Sequence, residues 1–341
     1  MRRFRLTHRA VALVIGLASL ATFASASDVL VIVNATVDHK RGNGITSGIF
    51  SNVQIGEAVT FVGGASAESA TVPPIGARHS LIDHETFYLQ MGSVSQTNAI
   101  YLDGAFLSVG NDFMVSGLAP YDALTMVFAT LNDGSVTLSL FDLTAAMFST
   151  NDIRLLTGNY VQSLPLSNLY VANPGGNNQG LVCRLNNVEV IQKSQLGQTL
   201  CSVATPNSTG VQGELTAEGF DHAYANDLTI RGTNLPIGQF GMLVGSKTTT
   251  APTAVANSQG FVCLGGNVGR FNNQIKAVGS SATAPGVGVI LFKPDLDAIP
   301  QQSGFVPATA GETWTFQSWH RDVVGGAATS NFTTAVAVTL R

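Results

Sequence analysis

The sequence predicts an all-β protein of two antiparallel β-sandwich domains, jelly-roll or Ig-like, with few or no helices. Three observations predict it. Only 11% of the residues are charged, against about 25% in ordinary soluble domains, and Gly, Ser, Thr, Asn and Val fill the difference. Apolar and polar residues alternate with period two in several runs, as half-buried strands require. Between those runs stand Asp-Gly turns, which supply the positive φ values that tight hairpins demand.

The first 26 residues read as a secretory signal peptide. Arg2, Arg3, Arg5 and Arg9 form a positive start, VALVIGLASLATFA (11–24) is a short apolar stretch, and Ala24-Ser25-Ala26 supplies the small-x-small cleavage pattern. The apolar stretch falls short of the roughly 20 residues a membrane span needs. Cleavage after Ala26 removes four of the 17 Lys+Arg and none of the 21 Asp+Glu, leaving a net charge of −8. Such a chain suits neither nucleic acid nor an anionic membrane surface, because both need clustered basic residues. No transmembrane segment is expected in the mature chain, which should be exported to the periplasm, cell surface or extracellular space. Its length suggests a domain at 27–200 and a second at 201–341.

In chain order, ARHSLIDHETFYL (77–89) is the densest polar cluster. His79, Asp83 and His84 are the candidate metal ligands there, although on one strand His79 and His84 would face opposite sides. AIYLDGAFLSV (99–109) is a hairpin signal around Asp103-Gly104. TMVFATLNDGSVTLSLFDL (125–143) repeats it, with Val136, Leu138 and Leu140 on one face and Thr137 and Ser139 on the other. Residues 144–157 are the one stretch that allows a short helix. NNQGLVC (177–183) is echoed by NSQGFVC (257–263), and the Pro/Asn/Ser/Thr/Gly cluster 203–213 reads as a linker.

Three cysteines in an oxidising compartment imply one disulfide and one free thiol. The pairing is open; Cys201–Cys263 is the tentative choice. NSQGFVCLGGNVGRFNNQ (257–274) raises the question of a phosphate-binding loop. It lacks G-x-G-x-x-G spacing, a Gly-Lys pair and a following amphipathic helix, so its glycines read as turn and bulge residues. Arg270 within it could hold an anion, though an arginine after a turn is ordinarily solvated surface. Asp295 and Asp297 read as a solvated turn. In GETWTFQSWHRD (311–322), Trp314 and Phe316 alternate onto a core face and Trp319 falls on the other. Trp319, His320 and Arg321 are therefore the candidate ligand-binding residues, because an exposed indole can pack on a sugar ring. At the C-terminus Val336, Val338 and Leu340 point inward.

The stretches CSVATPNSTG (201–210), ANDLTI (225–230), LPIGQFG (235–241), SQGFVCLGGNVGRF (258–271) and GETWTFQSWHRD…TSNFTTAVAVTL (311–340) together carry a resemblance. In order and spacing, residues 201–341 resemble a C-terminal module of exported β-rich proteins from environmental bacteria with large genomes. The N-terminal half resembles other exported proteins of the same kind. The resemblance implies secretion and a β-rich fold, and no activity.

The G-x-S-x-G elbow, HEXXH and calcium-loop patterns are absent, and no cofactor is expected. The reading is an exported, non-enzymatic protein of the envelope or extracellular matrix, with polysaccharide or cell-surface components as expected partners and adhesion as a related role. Two alternatives stand beside it. The C-terminal module could sort or anchor the N-terminal domain, or the His79/Asp83/His84 cluster could serve a metal-assisted hydrolase.

Overall fold

Val29 to Val33 is apolar at every position, so a strand built from it must be covered on both faces. The computed structural model describes residues 29–45, 50–70, 77–97, 106–113, 121–130, 134–142, 158–160, 167–172 and 179–341, and it shows both covers. The first ten strands are β1 (Val29–Arg41), β2 (Ala58–Ala70), β3 (Ala77–Met91), β4 (Val94–Thr97), β5 (Phe106–Phe113), β6 (Tyr121–Thr130), β7 (Gly134–Asp142), β8 (Gly158–Asn159), β9 (Asn168–Ala172) and β10 (Gly180–Gln192). They pair in the order β1-β2-β3-β5-β6-β7-β9-β10, and β10 then pairs back onto β1. All these ladders are antiparallel. The sheet is thus a closed ring, and the two-layer expectation holds only in that opposite walls face each other across a core. Closure removes the free edges that an open sheet would expose.

The odd-numbered residues Val29, Val31 and Val33 join Phe61, Leu89, Leu138, Val171 and Val190 in the interior of the ring. The even-numbered Leu30 and Ile32 point outward and pack with Val62 against Phe220 and Ala225. That second contact comes from the C-terminal half. Beside it, Tyr88 stacks on Tyr224 with ring centroids 4.6 Å apart. Lys193 pairs with Asp227 at 2.9 Å, and Arg341 reaches both Asp221 and Glu189.

The remaining strands are β11 (Ser194–Leu196), β12 (Gln198–Leu200), β13 (Glu214–Gly219), β14 (Leu228–Leu235), β15 (Phe240–Ser246), β16 (Thr248–Ala254), β17 (Phe261–Gly265) and β18 (Gly269–Arg270). After them come β19 (Lys276–Ala277), β20 (Gly279–Ser280), β21 (Gly288–Phe292), β22 (Ile299–Gln301), β23 (Gly304–Val306), β24 (Thr313–Val324) and β25 (Ala327–Thr339). One sheet runs β11-β13-β14-β21-β20 and the other β12-β25-β24-β15-β18, with β19 also on β15. Ile230, Ile290 and Phe292 from the first meet Leu243, Trp314, Phe316, Val336 and Val338 from the second in one core. This half therefore has the expected two-sheet arrangement, and its helical content among the described residues is two three-residue 3₁₀ turns.

The last strand of the ring, β10, ends at Gln192, and β11 follows after Lys193. Leu196 and Leu200 already lie in strands that pair with β13 and β25. Residues 203–213 are not a free linker: Ser208 N–H donates to the Asp322 carboxylate, and Asn331 Nδ2 donates to the Thr205 and Pro206 carbonyls. The β6–β7 hairpin stands as expected, with Thr130 opposite Gly134, while Val136 and Leu138 are buried. The Asp103-Gly104 turn and the 144–157 segment lie outside the described residues. The two echoed segments occupy different settings, one in the ring wall on β10 and one in the β16–β17 hairpin.

Candidate functional site

Strand β24 divides its side chains strictly by parity. Trp314 and Phe316 are fully buried between the sheets. Trp319 falls on the opposite, outer face, half-buried. It stands directly across from Met242 on β15 and from Phe332 on β25. Opposed residues of antiparallel strands share a face, so these three form an apolar row across the sheet. Val244, two residues on from Met242, adds to it, and Arg270 on β18 lies directly opposite Val244.

The β16–β17 hairpin overlies this face. Val262 and Leu264 from β17, with Val255 and Val268 beside the strand ends, complete the lining of a cavity of about 520 Å³. That volume is in the range of small-molecule sites, which are concave, mostly apolar and carry few polar groups. Arg270 is the one charged residue of the lining, and none of the lining residues is a carboxylate, an imidazole or a nucleophile.

Three devices hold the hairpin over the sheet. The Cys201–Cys263 disulfide ties β17 to the end of β12. Gln317, fully buried under the hairpin, accepts from Cys263 N–H at 3.0 Å through Oε1, and its Nε2 donates to the Phe261 carbonyl at 2.9 Å and the Thr333 carbonyl at 2.8 Å. At the hairpin's far end Gln259 N–H and the Ser258 hydroxyl both donate to the Ser330 carbonyl.

The glycines of 257–274 serve this arrangement. Gly266 turns the chain at φ +61°, and a Cβ on Gly269 would stand 1.7 Å from the Pro300 carbonyl oxygen. Close approach and turning are the reasons for glycine here, as the sequence implied. A single 3₁₀ turn at Asn272–Gln274 stands where a phosphate-binding motif would open a helix.

The three sequence-predicted ligand-binding residues separate. Trp319 lines the cavity. His320 points the other way, into the sandwich, with no exposed surface and neither ring nitrogen hydrogen-bonded among the described residues. Burial lowers its pKa to about 4, and the neighbouring Asp322 carboxylate opposes that shift only in part. His320 is therefore an uncharged core group at neutral pH. Arg321 is exposed and is not part of the lining. Asn331 stands directly opposite His320 on β25 and is buried, as are Asp322 on the same strand as His320 and Asn207 in the 203–213 segment. Asn207 caps its own loop, accepting from Thr209 and donating to the Asn234 carbonyl at 2.7 Å.

The cysteine arithmetic resolves as Cys201–Cys263 bonded and Cys183 free. Cys183 is buried in the ring, which pushes its thiol up to about 12 and leaves it protonated. Asp295 Oδ1 accepts from Asp297 N–H and Asn226 Nδ2, a turn closed by its own side chain. His79 and Asp83 lie on β3 opposite Ala70 and Gly64, and His84 falls in the register shift beyond Asp83. The side chains of these three lie outside the described residues. Among the described residues no group of three or more His, Cys, Asp or Glu is placed to hold a metal ion, and no helix is long and apolar enough to cross a membrane. No family model, curated protein or solved structure matches this chain.

Proposed function

We propose that the chain is an exported, non-enzymatic binding protein of the cell envelope or extracellular matrix, and that its C-terminal sandwich takes a ligand against Trp319. The observation that carries this reading is the cavity between the outer face of β15, β24 and β25 and the β16–β17 hairpin, floored by Met242, Trp319 and Phe332. A disulfide and a buried glutamine hold its roof, so the site is preformed and little ordering cost opposes binding. Export is supported by the signal-like N-terminus and by the disulfide. A polysaccharide could stack on Trp319, but sugar recognition needs several convergent polar groups and the lining supplies one. An apolar ligand group fits better.

The test is titration of the purified protein with a neutral apolar dye such as Nile red, beside a panel of soluble polysaccharides. One saturable dye site, lost in a folded Trp319→Ala variant, is the expected result. Absence of a saturable site, or a site indifferent to Trp319→Ala, would remove the reading.

A further inference from the structure

The geometry points to a ligand class for this cavity: a small anionic amphiphile, with a hydrocarbon or aryl body and a single carboxylate-like head held by Arg270. This ligand class rests on the proposed binding function and deepens it.

Arg270 is not a flexible surface charge at the end of a loop. Its backbone is fixed in β18 by pairing with Val244, and β15 is in turn paired with β24. Directly opposed residues share a face, so Arg270 is carried on the same side of the sheet as Val244, Met242 and Trp319. It is exposed, lines the cavity, and has no hydrogen bond or ion pair among the described residues. Lys247 pairs with Glu312, Lys193 with Asp227, and Arg341 with Asp221 and Glu189. Arg231, Lys293 and Arg321 share with Arg270 the lack of a side-chain partner among the described residues, but only Arg270 lines this cavity. An uncommitted guanidinium at the mouth of an otherwise apolar cavity offers a planar fork of donors matched to a carboxylate. No acidic residue in the lining competes for it. The rest of the lining offers a ligand only aliphatic side chains, a thioether and two aromatic rings. The complementary molecule therefore has one anionic end and an apolar remainder, sized to about 520 Å³.

The experiment compares decanoate, decan-1-ol and a neutral maltooligosaccharide by calorimetry at pH 7 and 0.15 M salt, on the purified protein and on Arg270→Gln and Arg270→Lys. Decanoate is expected to bind roughly tenfold more tightly than decan-1-ol, the usual scale for a hydrogen bond to a charged group. That preference should vanish in Arg270→Gln, with decan-1-ol affinity unchanged, and persist in Arg270→Lys. Trp319→Phe should keep the calorimetric signal while abolishing any change in tryptophan emission, since the other tryptophan, Trp314, lies in the core. Equal binding of decanoate and decan-1-ol, or a preference untouched by Arg270→Gln, would overturn the anionic class and leave the apolar site standing. Maltooligosaccharide binding that displaces decanoate would also overturn it. Failure of every probe, Nile red included, on folded protein would overturn the site itself.

Discussion

Replacing Gln317 by Met keeps the side chain's length and volume but removes its amide. Three backbone groups then lose their partners: Cys263 N–H, the Phe261 carbonyl and the Thr333 carbonyl. Gln317 is fully buried, so water cannot replace it without the hairpin lifting. An orphaned buried group costs about 1–3 kcal/mol, and carbonyls with a second acceptor site sit at the low end. Relief from burying the amide itself offsets part of the total, which leaves about 2–4 kcal/mol of expected destabilisation. Both tryptophans of the chain, Trp314 and Trp319, lie on β24. Urea unfolding followed by tryptophan emission therefore reports the sandwich and not the ring. With an m value of about 2 kcal/mol/M, the midpoint should fall by about 1–2 M. Hydrogen exchange at Cys263 N–H should accelerate in the same variant. Gln317→Glu keeps the acceptor, loses both donated bonds and buries a carboxylate, so it should cost at least as much at neutral pH. A Gln317→Met shift below about 0.5 kcal/mol, with Cys263 exchange unchanged, would refute the claim that this amide holds the roof.

His320 makes the sandwich acid-sensitive. Its folded pKa is lowered to about 4 against an unfolded value of about 6.5, so the unfolded chain binds more protons in between. Stability is then full above pH 6.5, falls by up to about 3 kcal/mol as pH drops to 4, and levels off below; an imidazole NMR titration with a midpoint above 6 would contradict this. Cys201 and Cys263 are separated by 62 residues, so reduction or Cys263→Ser should lower stability by up to about 4 kcal/mol on the loop-entropy scale, read by the same urea series. Gly269→Ala places a methyl against the Pro300 carbonyl and should prevent β18 pairing with β15; a variant as stable as the parent would show that the strand shifts freely. Phe220→Ala removes the ring that meets Leu30, Ile32 and Val62, and small-angle scattering should show the halves separating while each keeps its own unfolding transition; an unchanged scattering profile would sink that expectation.

What the sequence revealed is local, and what it hid is non-local. The parity of β24 was readable because Trp314, Phe316 and Trp319 alternate along the strand, and the β25 face was readable from Val336, Val338 and Leu340 in the same way. Glycine as turn and contact residue in 257–274 came from the absence of motif spacing. The ring closure was not legible, because Val29 meets Gln192 and no local signal records so distant a pairing. The passage from the ring to the strands of the second half was not legible, because a single residue, Lys193, separates β10 from β11, while a Pro/Asn/Ser/Thr/Gly cluster ordinarily marks a linker. Those same small polar residues instead bond Asp322 and Asn331, which period-two reading places only on faces. Trp319 was found; its partners Met242, Val262 and Phe332 come from three other strands, and only the fold brings them together. His320 was grouped with Trp319 by adjacency in sequence, yet neighbours on a strand point to opposite sides.

The seam between β1 and β10 has a kinetic consequence. The first strand of the ring must wait for the last, so until residues 180–192 are available the edges of β1 and β9 that β10 will join stand open, with the interior apolar face in water. Long-range pairing of this kind slows folding and lengthens exposure to aggregation. The C-terminal half begins one residue after that seam and docks Phe220 on the outside of β1, so it also shields the patch that a lone ring would leave bare. Truncation after residue 192 should therefore yield a chain that completes its hydrogen-bonded circuit and still sticks to itself.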